Sequence, residues 1–203
     1  MADSEHFELP EAEQQRASRL HAESTVVDGL IATDAYLMES EYESHLFEGG
    51  VNAANFTVAS YGDEFVPATE KIAKYHRAAD RLDARIVETV SDVRDVADSD
   101  ELAIVLGFQD TRPIGNDIWK LEVFADLGVR VIQLTYNEQN YVGAGCCAQM
   151  DAGLSWFGKD LVDRMNELGL VIDLSHCGDE TTLEAIEHSS DPVACTHVGI
   201  RDL

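Results

Sequence analysis

The chain has 203 residues, with 39 Asp and Glu against 14 Lys and Arg, a formal net charge of −25, and 45% hydrophobic and 7% aromatic residues. That apolar share excludes a disordered chain, and no run approaches the ~18 to 20 apolar residues a membrane helix needs. A field this negative repels phosphate backbones and anionic lipid, so neither nucleic acid nor a membrane surface is an expected partner.

The acidic residues are spread along the chain, from Glu39, Glu41 and Glu43 through Asp92, Asp95, Asp98 and Asp100 to Asp179, Glu180 and Glu184. Lys occurs only at Lys71, Lys74, Lys120 and Lys159. A spread acidic coat with little Lys suits a high-salt cytoplasm, where salt screens the self-repulsion, so a halophile's cytoplasmic protein is expected. The opening MADSEHFELPEAEQQ is too acidic and polar for a signal or transit peptide. The four cysteines, Cys146, Cys147, Cys177 and Cys195, show no CxxC spacing and are expected reduced. Cys146 and Cys147 are adjacent and do not readily pair within standard disulfide geometry.

In chain order, residues 1–22 read as a polar helical lead-in. Ser24 to Ile31 (STVVDGLI) is a first strand, and Tyr36 to Gly50 an acidic loop with helical turns. Ala53 to Ala59 is a second strand. The spacing of Ile72, Tyr75, Ala79, Leu82, Ile86 and Val90 predicts one long helix from Ala68 to Val96. Leu102 to Phe108 (LAIVLGF) is a buried strand. Asn116 or Asp117 is expected to cap a helix through Ile118, Leu121, Phe124 and Leu127, stopped by Gly128. The strand Val129 to Tyr136 follows, then a Gly-rich loop, a helix through Leu161, Met165 and Leu168 stopped by Gly169, and the strand Leu170 to His176. Asp179 is expected to cap a short helix before a last strand, Val193 to Val198. Alternating β and α units with near-continuous apolar strands mean a parallel sheet covered by helices. The expected fold is α/β: an incomplete (β/α)8 TIM barrel of about six parallel strands, forming one domain over 1–203.

Reactive groups in such folds sit at the carboxyl ends of strands. Those positions hold Asp28 and Asp34, Gln109 and Asp110, Tyr136 and Asn137, and Ser175 with His176; His197 ends the last strand. Two histidines ending consecutive parallel strands would be neighbours at one rim, able to share a cation such as zinc. A His₂Cys₂ set with Cys177 and Cys195 is conceivable from sequence proximity, but strand alternation splits His176 from Cys177, and both thiols read better as buried packing. A buried Asp173 needs a hydrogen-bond partner. There is no GxSxG or GxGxxG motif, and Gly143-Ala144-Gly145 is a weak phosphate signal.

The pieces LGFQ, LEVFADLGVRVIQLTYNEQN, GAG…DAGLSWFG, VDRMNELGLVIDLSH and DPVACTHVGIRDL stand in the order of the renal (membrane) dipeptidase family, the M19 metallopeptidases, which Leu102 to Leu203 resembles. VVDGLI resembles the family's opening strand more weakly. The resemblance implies a (β/α)8 barrel with two zinc ions that hydrolyses dipeptides, including some with a D- or dehydro residue on the C-terminal side. It places the two late histidine ligands on His176 and His197. The opening DGHxD motif falls on Asp28-Gly29-Leu30-Ile31-Ala32, so its His and Asp ligands become Leu30 and Ala32, with Asp34 two residues beyond in the wrong register. The bridging Glu becomes Gln109, whose neutral oxygen lacks the charge that holds two cations together. A substrate-contacting His becomes Tyr136, and Tyr136 with Asn137 is the expected substrate contact. The remaining catalytic Asp and substrate Arg would lie beyond Leu203, so no catalytic residue is assigned.

The expected function is thus zinc-dependent dipeptide hydrolysis with at most one zinc site, at His176, His197 and Gln109, and reduced turnover. The alternatives are a non-catalytic binding or scaffold relative, or a fragment of a longer or split dipeptidase. Its open sheet edges would then invite self-association or a complementing chain.

Overall fold

The computed structural model describes residues 9–33, 40–99 and 101–199; Asp34 and Asp100 lie outside them. A polar helix α1 (Glu11–Ala22) buries none of its residues. It leads into β1 (Val27–Ile31), α2 (Ser40–Glu48), β2 (Ala53–Ala59), α3 (Phe65–Ala79), β3 (Ala84–Ile86), α4 (Val90–Ala97) and β4 (Leu102–Phe108). Then follow α5 (Trp119–Asp126), β5 (Val129–Gln133), α6 (Trp156–Glu167), β6 (Val171–Asp173) and α7 (Asp179–His188). All strand pairs are parallel, in the order β1-β2-β4-β5-β6 with β3 on β4. This is a six-stranded half-barrel wrapped by helices.

Side-chain alternation gives the sheet two chemically distinct faces. Phe56 and Val58 of β2, Ile104, Leu106 and Phe108 of β4, and Ile132 of β5 join Ile72 and Tyr75 of α3, Leu121 and Phe124 of α5, and Leu161 and Met165 of α6 in one hydrocarbon core. The other face carries Asn55, Thr57, Gln109, Gln133, Thr135, Asp173 and Ser175, all buried. The polar face bends tightly enough that a Cβ on Gly29 would stand 2.7 Å from the Thr196 carbonyl oxygen, so β1 reaches the segment carrying His197 only because residue 29 has no side chain.

The expected helix from Ala68 to Val96 is two helices with a strand between them. Ile86 pairs with Ile104 of β4, and Val90 is 67% exposed, so the helical spacing beyond Ala79 is coincidental. A capping box starts α4 afresh: Thr89 Oγ1 accepts from the Asp92 backbone N–H, and the Asp92 carboxylate accepts from that of Thr89. The expected last strand is reduced to one bridge, Ala194 to Asp173. Beyond it the backbone N–H groups of Thr196 and His197 donate to Asp173 Oδ1 and Ser175 Oγ, so side chains take the place of a strand ladder. The six strands therefore include β3 and exclude Val193 to Val198.

Two caps also differ from expectation. Helix α5 has no side-chain cap; Asp117 pairs instead with Lys120 at 3.2 Å. Helix α7 is capped from a distant loop, where the Asp151 carboxylate accepts from the Glu180 N–H at 2.8 Å and from the Thr181 hydroxyl at 2.9 Å.

Candidate functional site

His176 follows β6, and His197 lies beyond the Ala194 bridge on the neighbouring segment. Their ring centroids are 5.0 Å apart. Two imidazoles on one tetrahedral zinc, with Zn–N of about 2.0–2.1 Å, place their ring centres about 5 Å apart. Both rings line a cleft of ≈ 360 Å³ together with Cys146, Cys195 and Asp179.

Each ring is held through Nδ1, which leaves Nε2 for other work. The His176 Nδ1–H donates to Asn137 Oδ1 at 2.8 Å, since an amide oxygen only accepts. Both residues sit at φ 60, where the strand ends turn sharply. Thr196 Oγ1 donates its single proton to Asp173 Oδ2 at 2.6 Å, so toward His197 Nδ1, 2.8 Å away, it acts as acceptor. The chain Asp173–Thr196–His197 thus keeps the His197 proton on Nδ1 and the lone pair on Nε2, the arrangement a metal-binding imidazole requires. Among the described residues, the buried His197 Nε2 has no hydrogen-bond partner. Burial, then the neighbouring His197, holds the His176 imidazole below its ordinary pKa despite the opposing pull of Asp173, which favours the neutral ring.

Tyr136 stacks on His176 with centroids 4.4 Å apart and planes at 24°. Tyr61 lies 6.0 Å beyond Tyr136, with the Arg112 guanidinium 4.2 Å over its face. The aromatic wall therefore runs from the histidine pair to a cation, which is itself bonded to the fully buried Asp110 at 3.1 Å. Burial pushes Asp110 up, against the hydrogen bonds from Asn140 and Arg112.

Of the residues singled out from sequence, the structure brings His176, His197, Tyr136 and Asn137 together. Asn137 meets His176 rather than standing free for substrate. Gln109 is 6% exposed and its amide donates to Thr57 Oγ1 at 2.7 Å, while its backbone carbonyl accepts from Gln133. Cys177 is buried as expected, but Cys195 is exposed. Sequence reasoning missed Thr196; its position beside His197 and across from Asp173 was the available signal.

The residues present fit one zinc ion better than two. Two bare imidazole nitrogens are available, but Leu30 and Ala32 offer only hydrocarbon, and Gln109, whose amide N–H donates to Thr57, brings a neutral oxygen in place of a carboxylate. Among the described residues, no group of three His, Cys, Asp or Glu is disposed to hold a metal.

A parallel β/α half-barrel with its polar groups gathered beyond the carboxyl ends of its strands is part of the architecture used by barrel hydrolases. The membrane dipeptidase (peptidase family M19) profile matches residues 14–203, and the chain belongs to this family, whose members are typically zinc-dependent. A dipeptidase of Claviceps purpurea is 31% identical over 121 residues, 59% of this chain and 28% of that protein. An amidohydrolase structure from Pseudomonas aeruginosa superposes with a TM-score of 0.82 at 36% identity, over 89% of this chain and 55% of that one. A Rhodobacter sphaeroides metallopeptidase, solved with a phosphinate mimic of L-Ala-D-Ala, shares the fold at a TM-score of 0.72 and 17% identity, over 64% of its length. The chain thus spans 55% and 64% of the length of these solved relatives, and 28% of the Claviceps dipeptidase.

Proposed function

We propose that this chain carries a dipeptidase-type site holding one zinc ion through His176 and His197, and that it hydrolyses small peptides slowly. The observation that carries this reading is the histidine pair, with His197 Nε2 buried and unpartnered. Zinc supplies Lewis acidity toward the peptide carbonyl. The chain's own residues do the positioning: Asn137 sets the His176 ring, Thr196 and Asp173 set His197, and Tyr136 forms an aromatic wall for a substrate side chain. Slow turnover follows from the donor set, because a catalytic zinc ordinarily has three protein ligands and a carboxylate to manage the proton. The Rhodobacter relative's L-Ala-D-Ala mimic supports a dipeptide as the substrate class.

The test is zinc content after purification at high salt, with amino-acid release from a dipeptide panel in added Zn²⁺. We expect the His176→Ala/His197→Ala variant to hold one zinc ion fewer per chain than the unmodified protein, and the slow release to be lost with it. Equal zinc in both proteins overturns the site. Zinc without any turnover supports the second reading, a non-catalytic binding relative, which Leu30, Ala32 and Gln109 favour.

Two coarser features extend the reading. Among the described residues β1 pairs only with β2, so its outer edge offers unpaired backbone groups to a second copy or a complementing segment. Concentration-dependent size-exclusion elution is the expected result. Among the described residues no helix is long and apolar enough to cross a membrane, and the acidic coat supports a high-salt cytoplasm as its setting.

A further inference from the structure

The loop after β5 carries two thiols that the dipeptidase reading does not use. Cys146 Sγ and Cys147 Sγ lie 3.9 Å apart, and both residues are exposed. A tetrahedral ion with two thiolate ligands at about 2.3 Å holds its sulfurs about 3.8 Å apart. We propose that Cys146 and Cys147 form a second cation site, a dithiol pair for a thiophilic divalent ion of the Zn²⁺ or Cd²⁺ class, at the lip of the cleft that holds the histidine pair.

The loop is held in place before any ion arrives. The Gly145 N–H donates to the Glu138 carbonyl at 3.0 Å, the Cys146 N–H to that of His176 at 2.8 Å, and the Cys147 N–H to that of Asn137 at 2.8 Å. Gly145 also bridges Cys177, and it packs so closely on the Asn137 backbone that no side chain fits there. Anchored backbone on both sides of the dithiol limits the ordering cost of binding. The same features argue against oxidation as the use of this pair, since adjacent cysteines on a pinned loop do not readily reach disulfide geometry.

No third His, Cys, Asp or Glu completes the set among the described residues, so solvent or solute fills the other positions. Thiolate ligands select soft and borderline ions over Mg²⁺ or Ca²⁺. The pair is linked to the histidines through one atom: Asn137 Oδ1 accepts from His176 Nδ1 and from the Cys146 thiol at 3.5 Å. An ion on the dithiol displaces the Cys146 proton and leaves that oxygen to His176 alone.

The test is titration of the reduced, metal-free full chain with Cd²⁺, read by the thiolate-to-cadmium absorption in the ultraviolet. We expect a band that saturates at one ion per chain, is abolished in Cys146→Ser/Cys147→Ser, and persists in His176→Ala/His197→Ala. The last comparison separates this site from the zinc site proposed above. A band that survives in the Cys146→Ser/Cys147→Ser protein, or one lost with the histidines, overturns the proposal, as does no band at all. A second measurement on the unmodified chain needs no variant: Cd²⁺ should shield Cys146 and Cys147 from alkylation while Cys195 still reacts. Equal labelling of all three exposed thiols overturns the site.

Discussion

One hydroxyl group sets the tautomer of His197. Thr196 spends its only proton on Asp173, so the imidazole must keep its own proton on Nδ1. Replacing Thr196 by Val preserves shape but removes both the acceptor and the donor. Outer partners of metal-bound histidines are worth about 10–100-fold in affinity, and the Thr196→Val variant is expected to weaken zinc by that factor in competition with a chromogenic chelator. His176 adds a pH dependence. Burial first, then His197, lowers its folded-state pKa below the ordinary value of 6.5. The unfolded chain therefore takes the proton first as pH falls, so the contribution is complete above about 6.5 and is lost as pH falls through the folded value. The melting temperature of the metal-free protein should fall more steeply from pH 7 to pH 5 than that of His176→Asn, whose new side chain tolerates the positive φ.

At the scale of elements, helix α7 depends on a residue outside it. Asp151 meets the backbone N–H groups of Glu180 and Thr181 at the helix start and that of Gly153 in its own loop. Burial works upward on this carboxyl, but those hydrogen bonds from Gly153, Thr181 and Glu180 prevail and hold it below its usual range. Asp151→Ala should destabilise the protein by about 0.5–2 kcal/mol in urea unfolding, the usual size of an N-cap loss. Asp179→Ala should cost clearly less, because Asp179 is the first helical residue and Gly178 stands at the cap. The same residues show what local pattern conveys and what it does not. Gly128 and Gly169 stop their helices at φ 97 and φ 66, as the sequence predicts. Asp151 gives no local sign of capping a distant helix, because that bond exists only after the loop has folded against α7.

For the whole molecule, the charge of −25 sets the dominant long-range energy. Lys71, Lys120 and Lys159 each pair with a nearby carboxylate, at 2.6, 3.2 and 3.3 Å, yet most of the acidic excess is left to repel itself. At 1 M salt the screening length is about 3 Å, so that repulsion is largely removed. The melting temperature is expected to climb through a KCl series into the molar range. Full stability in dilute buffer would count against a high-salt setting.

Much of the fold is legible in LAIVLGF, VRVIQ and the Leu-Gly stops, because burial and helix termination act over a few residues. The site is legible only in part. His176 and His197 stand out as strand-end histidines, and Thr196 stands beside one of them, but nothing local to His176 announces that Asn137, far earlier in the chain, holds its ring. The same limit explains the missed strand β3, whose short run ARI gains its partners from β4. By itself the sequence determined the alternation of strand and helix and the acidic coat, since these rest on composition and short-range pattern, and the order of its motifs carried the resemblance to the family. Only the tertiary structure decided which strand edges pair, that the two imidazoles meet, and that Gln109 turns to Thr57, because each depends on hydrogen bonds between residues far apart in the chain.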